Sequence, residues 1–248
     1  MKKIRPIYIF IASLVIIFAF VAYHAKYNYV NWRTANRESA KIAPLPSLEP
    51  EASVQVYYAR TYNWRGYFAV HPWIAVKKKN AKFYMVYQVT AWNLRGESTA
   101  VSAKKDIPDR YWYGRKPILL QTLKGEAAEK AIPQIEKAVR EYPYAKEYTL
   151  WPGPNSNTFV AYVIREVPEL TVELPPHAIG KDFLGYKTFY APTASQSGYK
   201  VSILGLVSLT VGLKEGIELG ILGLSFGLDL YPPAIKFPIF GRIGFSDF

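Results

Sequence analysis

The residues best placed to do chemistry stand in Trp151–Val160, WPGPNSNTFV. Pro152, Gly153 and Pro154 set a rigid turn, and the small polar residues Asn155, Ser156 and Asn157 follow. An apolar rhythm then begins at Phe159 and Val160 and returns at Val163, Ile164 and Val167, the spacing of a helix face. Asn155 or Ser156 therefore sits at a helix N-terminus, where a short polar side chain caps free backbone N–H groups. That end also carries unpaired donors and a partial positive charge that suit an anion or oxyanion. Ser156 is there either as a cap or as a nucleophile. A nucleophilic serine needs a base, and His71 is the candidate. Ser156 Oγ would attack an ester or amide carbonyl, and the N–H of Ser156 or Asn157 would hold the oxyanion. Gln88 or Thr90 would orient the imidazole.

A second chemistry is recognition. Arg60 and Arg65 flank the turn before His71, and Tyr111, Trp112, Tyr113 and Arg115 stand together further on. Cations beside aromatic faces hold anionic or sugar-containing ligands, and they also simply pack. Asn155, Asn157, Arg60, Arg65, Gln88 and Trp151 are the expected lining of a cleft around Ser156 and His71.

Composition removes several classes. The chain has no cysteine, which excludes disulfides, thiolate metal sites and a thiol nucleophile. His24, His71 and His177 are too far apart in sequence for a helix-borne zinc pair, so no metal site is expected. No glycine-rich phosphate loop occurs, and no cofactor is expected. The formal net charge is +12 over 248 residues. Lys2, Lys3, Arg5, Lys26, Arg33 and Arg37 carry much of it, and Lys77-Lys78-Lys79 is the tightest later run. That run reads as a hairpin tip, so nucleic acid is not the expected partner, while anionic lipid is compatible.

The elements that position these residues follow from the chain in order. Met1–Arg5 is a basic leader, and Ile7–Ala22 is uncharged and almost wholly apolar. Residues 1–32 are expected to form an uncleaved transmembrane anchor with an interfacial belt at Tyr23, Tyr27, Tyr29 and Trp32. A cleaved signal peptide is the rival reading, with a poor exit site because Tyr23 stands two positions before Ala25. The implied localisation is a bacterial inner membrane, single-pass, with the domain in the periplasm and the bilayer held through the N-terminal helix. Residues 33–51 read as a proline-containing tether. Residues 52–248 read as one domain. Ser53–Arg60 and Tyr67–Val76 are expected strands, with Pro72 demoting the second to an edge or a bulge. Lys77–Asn80 is a turn, Ala81–Trp92 a return strand, and Ser98–Ala103 a further short strand. Lys116–Leu123 is expected to be a short helix opened by Pro117. Glu126–Glu141 carries Ala128, Ile132, Ile135 and Val139 on one face and predicts a helix, with Pro133 as a kink. Val201–Leu213 and Ile217–Leu230 are apolar and glycine-spaced, and predict one long C-terminal hairpin covered by the domain, a partner or the bilayer surface.

Blocks of this chain resemble an uncharacterised bacterial family, domain of unknown function 3750. They are ARTYNWRGYFAVHPWIAVK, PDRYWYGRKPILL, AIPQIEKAVREYPY, YTLWPGPNSNTFVAYV and LPPHAIGKDFLGY, and the glycine-rich end is similar too. The resemblance runs from about Ser53 to the C-terminus. It implies membrane anchoring and no defined activity. A second resemblance is to circularly permuted papain-like amidohydrolases and acyltransferases. In these, a strand-borne histidine precedes a cysteine in an Asn-Cys-x-x-Phe-like helix start; here Asn155-Ser156-Asn157-Thr158-Phe159 has serine in that place. It implies an α+β, permuted papain-like fold, an antiparallel sheet packed on helices. Added to it are the N-terminal transmembrane helix and the glycine-rich C-terminal β-hairpin. The resulting expectation is an envelope protein with a binding or structural role in a degenerate hydrolase-like cleft, its ligand an envelope peptide or lipid. The alternative is a serine-dependent amidase or esterase acting on peptidoglycan peptide or lipid.

Overall fold

A computed structural model describes residues 6–27 and 29–245. After helix α1 (Pro6–Tyr27) the chain enters β1 (Ser53–Arg60), a 3-10 turn at Asn63–Tyr67, β2 (Val70–Lys77) and β3 (Met85–Val89). A one-turn helix α2 (Asn93–Gly96) leads to β4 (Val101–Lys105) and β5 (Ile118–Lys124). These strands form an antiparallel sheet in the order β4-β3-β2-β1-β5. Both faces are covered, which fits the density of apolar residues in β1 and β2. One face carries Val54, Val56, Val70, Ile74 and Val76 against α3 (Gly125–Arg140) and α4 (Ser156–Glu166). The other carries Tyr57, Ala59, Trp73 and Ala75 against Trp112 and the incoming segment near Ile42.

β2 is an inner strand, not the edge that Pro72 suggested. Its ladder to β3 begins only at Ile74, paired with Tyr87, so Pro72 is not part of that ladder. Residues 118–124 are a strand rather than a helix, because their apolar residues complete the sheet beside β1. The α3 helix runs through Pro133 without ending there.

The chain then crosses an irregular stretch and builds a second sheet from β6 (Tyr190–Pro192), β7 (Gly198–Ile203), β8 (Val207–Gly212), β9 (Gly216–Ile221), β10 (Leu224–Leu230), β11 (Pro233–Phe237) and β12 (Gly241–Gly244). Every strand pairs antiparallel with its chain neighbour, a seven-stranded meander. The single covered hairpin expected over 201–230 is thus corrected to four strands of a wider sheet. Two turns divide it, Leu204-Gly205 and Leu222-Gly223, with all four residues at positive φ.

The expected α+β, permuted papain-like architecture is overturned. The molecule is sheet-rich, with two antiparallel sheets and few helices. The transmembrane helix that went with it is corrected too. Among the described residues no helix is long and apolar enough to cross a membrane. A span needs about 20 continuous apolar residues, and about half of the α1 side chains fall outside the described ones. The basic leader Met1–Arg5 also lies outside the described residues.

The second sheet meets the rest of the molecule through buried charge. Lys181 bonds Glu218 at 2.7 Å and Asp182 at 3.1 Å. Lys236 lies 2.8 Å from Asp229, 3.0 Å from Glu218 and 2.6 Å from Glu173. Lys200 closes on Asp182, and Arg242 Nε on Asp229 at 2.6 Å. These groups come from the sheet's inner face and from the crossing segment.

Candidate functional site

The start of α4 is built by the residues that sequence reasoning singled out. Asn155 is the cap: its Oδ1 accepts from Asn157 N at 2.9 Å and Thr158 N at 3.2 Å. Thr158 Oγ1 reciprocates by accepting from Asn155 N at 3.1 Å and donates to Gly180 O at 2.8 Å. The amide of Asn155 donates to Leu150 O and Ile179 O, and that of Asn157 to Ile179 O at 2.7 Å. Gly180 is required there: at φ +99° a side chain is strained, and a Cβ would lie 2.4 Å from Asn155 Nδ2. Both asparagines thus fasten α4 to the 178–180 turn. Ser156 is buried and hydrogen-bonded to the Tyr148 phenol, whose pKa burial raises and that bond lowers. Trp151 is half exposed, and its indole N–H donates to Leu222 O at 2.8 Å, at the second sheet.

His71 lies elsewhere. Side chains alternate along β2, so Val70 and Ile74 face α4 while His71 and Trp73 face away from it. The imidazole stacks on Trp112, centroids 3.7 Å apart and planes within 9°. Its Nε2 donates to Gln88 Oε1 at 2.8 Å. Burial pushes its pKa down to about 3; the Gln88 bond opposes this and Arg110 adds to it. The ring is therefore neutral near pH 7 and a weak proton acceptor. The structure brings His71 together with Gln88 but places Ser156 across the sheet. His71 and Ser156 do not share one groove.

Gln88 and Trp112, the two partners of His71, border a small open pocket of about 130 Å³. Gln88, Thr90 and Ser102 form its polar floor, with Trp92 and Trp112 beside them. The two indoles stack with centroids 5.9 Å apart, and Trp92 remains half exposed. Arg37, Lys104 and Arg110 stand around the pocket, and among the described residues no carboxylate lines it. Arg110 is paired with Asp106 at 2.9 Å, and Arg37 lies 4.4 Å above the Tyr113 ring. Thr90 Oγ1 is buried without a hydrogen-bond partner. The pocket offers an aromatic platform and cations, which is binding equipment rather than a nucleophile and its base.

Arg60 is not in this pocket. Its guanidinium donates to Gly66 O, Tyr67 O and, at 2.7 Å, Ile239 O, tying the first sheet to the β11–β12 turn. Arg65 lies over Trp64 at 5.2 Å. Sequence reasoning named Trp112, Gln88 and Thr90 but missed Trp92, Arg110 and Arg37. Arg37 arrives from the segment read as a tether. Asp109 holds that segment, accepting from Ile42 N at 2.6 Å, Ala43 N at 3.0 Å and Ser39 Oγ at 2.8 Å. No local spacing advertises that contact.

The family model described as "Protein of unknown function (DUF3750)" matches residues 51–183. This is more than half of the chain, and the chain belongs to that family. The match includes His71, Gln88, Trp92, Trp112 and Ser156 and ends before β6. No curated protein and no solved structure matches the chain, so the papain-like resemblance gains no support.

Proposed function

We propose that this member of the DUF3750 family is a membrane-associated bacterial envelope protein that binds an anionic, ring-bearing envelope component without turning it over. The observation that carries the reading is the Trp92–Trp112 stack beside Arg37, Lys104 and Arg110, with no carboxylate among the described residues of the pocket wall. A sugar ring or other flat apolar face packs on indole, and a carboxylate or phosphate on the same ligand meets the cations. Membrane association rests on the uncharged apolar stretch from Ile7 to Ala22, and the periplasm is the compartment this reading assigns to the domain. A reporter fused after Phe248 tests the placement: activity only in the cytoplasm refutes it. The amidase or esterase reading has no comparable support, because Ser156 faces Tyr148 and His71 faces Trp112.

Tryptophan fluorescence titration of the full chain with a muramic-acid-containing disaccharide tests the binding. Saturable quenching is expected, about tenfold weaker for the neutral N-acetylglucosamine disaccharide, the scale of one charge-assisted contact of roughly 1.4 kcal/mol. Trp92→Ala should abolish the response. Equal titration of both sugars, or an unchanged response in Trp92→Ala, refutes this site.

A further inference from the structure

The second sheet has its polarity reversed, independently of the Trp92–Trp112 pocket. One cross-strand ladder on its outer face runs Val201, Leu209, Leu219, Phe226. The next runs Tyr199, Val211, Ile217, Leu228, Ile235, Ile243. All of these side chains are exposed, and none is charged. The corresponding inner ladder runs Lys200, Thr210, Glu218, Gly227, Lys236, Arg242. Its neighbour holds Ser202, Ser208, Gly220 and Ser225. Apolar-out and polar-in with a period of two is how a sheet is patterned when hydrocarbon bathes its outer face.

Three further observations point to the same medium. Hairpin turns with both central residues at positive φ strongly favour Asn-Gly or Asp-Gly in water. Here the first turn residue is leucine in both cases, Leu204 at φ 54° and Leu222 at φ 53°. Leu222 is 59% exposed, and the third turn at this end presents Ile239 and Phe240. The opposite end is different: it carries Lys214 in the β8–β9 turn, Tyr231 in the β10–β11 turn and Tyr199 on the last outward rung. Tyrosine and lysine at one end, beside the exposed Leu213, and apolar tips without a polar side chain at the other match the step from headgroups to acyl chains. The formal net charge of +12 complements an anionic leaflet.

We infer that the outer face of β7–β12 seats in one leaflet of an anionic lipid bilayer, with the Leu204, Leu222 and Phe240 turns deepest and Tyr199, Lys214 and Tyr231 at headgroup level. The strand lengths set the depth. The six or seven residues of β7–β10 at about 3.4 Å each reach roughly 20 Å, which at a tilt of about 45° descends about 15 Å, one leaflet of the hydrocarbon core, and falls short of the 9–11 residues a spanning strand needs. The sheet therefore enters a membrane without crossing it. A second copy of this chain is the rival occupant. A protein partner brings about one hydrogen bond per 100–200 Å² of interface, and the outward side chains of these two ladders carry no hydrogen-bonding group except the Tyr199 hydroxyl.

The absence of cysteine makes the test clean, because each introduced cysteine is the only thiol. Full-length Leu219→Cys, Leu222→Cys, Lys214→Cys and, as a control on α3, Lys137→Cys would each carry an environment-sensitive fluorophore. They would be bound to phosphatidylethanolamine–phosphatidylglycerol vesicles containing lipid nitroxides. The expected result is several-fold stronger quenching by acyl-chain nitroxide at positions 219 and 222 than at 137. Position 214 should respond to headgroup nitroxide, and iodide should lose access to 219 and 222. The readout is where the sheet lies, so capture of the chain by vesicles through α1 cannot imitate it. Iodide access retained at 219 and 222 on bound protein overturns the inference. Shielding from both iodide and lipid nitroxide, with cross-linking between 219 positions of two chains, overturns it in favour of a second copy.

Discussion

The two sheets obey the same two-residue alternation in opposite phase. In the first, Val54, Val56, Ile74 and Val76 point inward to the helices. In the second, the inward positions are Glu218, Asp229 and Lys236 and the outward ones aliphatic. A strand does not know which side is inside; only its neighbours settle that. The first sheet is covered on both faces by helices and loop, so its register is fixed by burying apolar area. The second is fixed by matching buried charges, an arrangement that stabilises little by itself but punishes any misplacement.

The sharpest way to break the contrast is to exchange the polarity. Ile164 is buried on α4 against the first sheet. Ile164→Asp should cost roughly 4 kcal/mol or more, or prevent folding, because it buries an unpaired charge. Glu218→Leu should cost roughly 3–5 kcal/mol, since Lys181 and Lys236 lose a shared buried partner. Leu209→Asp on the outer face should stay within about 0.5 kcal/mol in buffer. Urea denaturation midpoints of the three variants decide it. A Leu209→Asp loss as large as that of Ile164→Asp would mean that the outer face is a covered core, and the contrast would collapse.

Legibility in the sequence divided along the same line. β1, α3 and the capped start of α4 were readable because local pattern and local cap chemistry agree there. Residues 118–124 were misread because a short apolar run does not distinguish a strand from a buried helix. The second sheet was condensed into one hairpin because its turns hide as Leu-Gly, where the usual signal is Asn-Gly. The chemistry was readable by residue and not by facing. His71 and Ser156 stand in the order that a permuted papain-like site needs, but the side of a strand on which a helix packs is a tertiary fact. Arg37 and Trp92 were invisible because they reach the pocket through contacts distant in sequence.

Acid sharpens the comparison in two offset windows. His71 has a folded pKa of about 3 against an ordinary 6.5, held down by burial. Between these values the unfolded chain takes up a proton that the folded chain refuses, so stability falls as pH drops from about 6.5 to about 3. His177, lowered to about 3 by burial and by Arg60, adds to the same window. Glu218 is held at about 2: burial raises it, and Lys181 and Lys236 more than offset that. Its contribution is complete above about 4.5 and is lost as pH falls toward 2. Thermal melts from pH 7 to pH 3 should fall in two stages. His71→Gln should flatten the upper stage, leaving the part due to His177. Equal pH dependence in His71→Gln and the parent chain would remove the first sheet from the account.

The smallest expected effect lies where the chemistry was first sought. Asn155 and Ser156 are neighbours at one helix start, yet the structure gives them unequal work. Asn155 Oδ1 satisfies two backbone donors, and its amide holds Leu150 O and Ile179 O. Asn155→Ala should therefore lower stability by about 1–2 kcal/mol, at the upper end for a cap because the side chain is buried and its partners lose their bonds. Ser156 gives one hydrogen bond to Tyr148, so Ser156→Ala should cost about 1 kcal/mol or less. Hydrolysis would reverse that order of importance, with Ser156 dispensable for stability but essential for labelling by a fluorophosphonate. No labelling of the parent chain is expected, because His71 is neutral, stacked on Trp112 and on the far face of the sheet. Labelling that disappears in both Ser156→Ala and His71→Ala would mean that the two residues meet after all. The α4 start would then belong with the reactive parts of the molecule rather than with its fastenings.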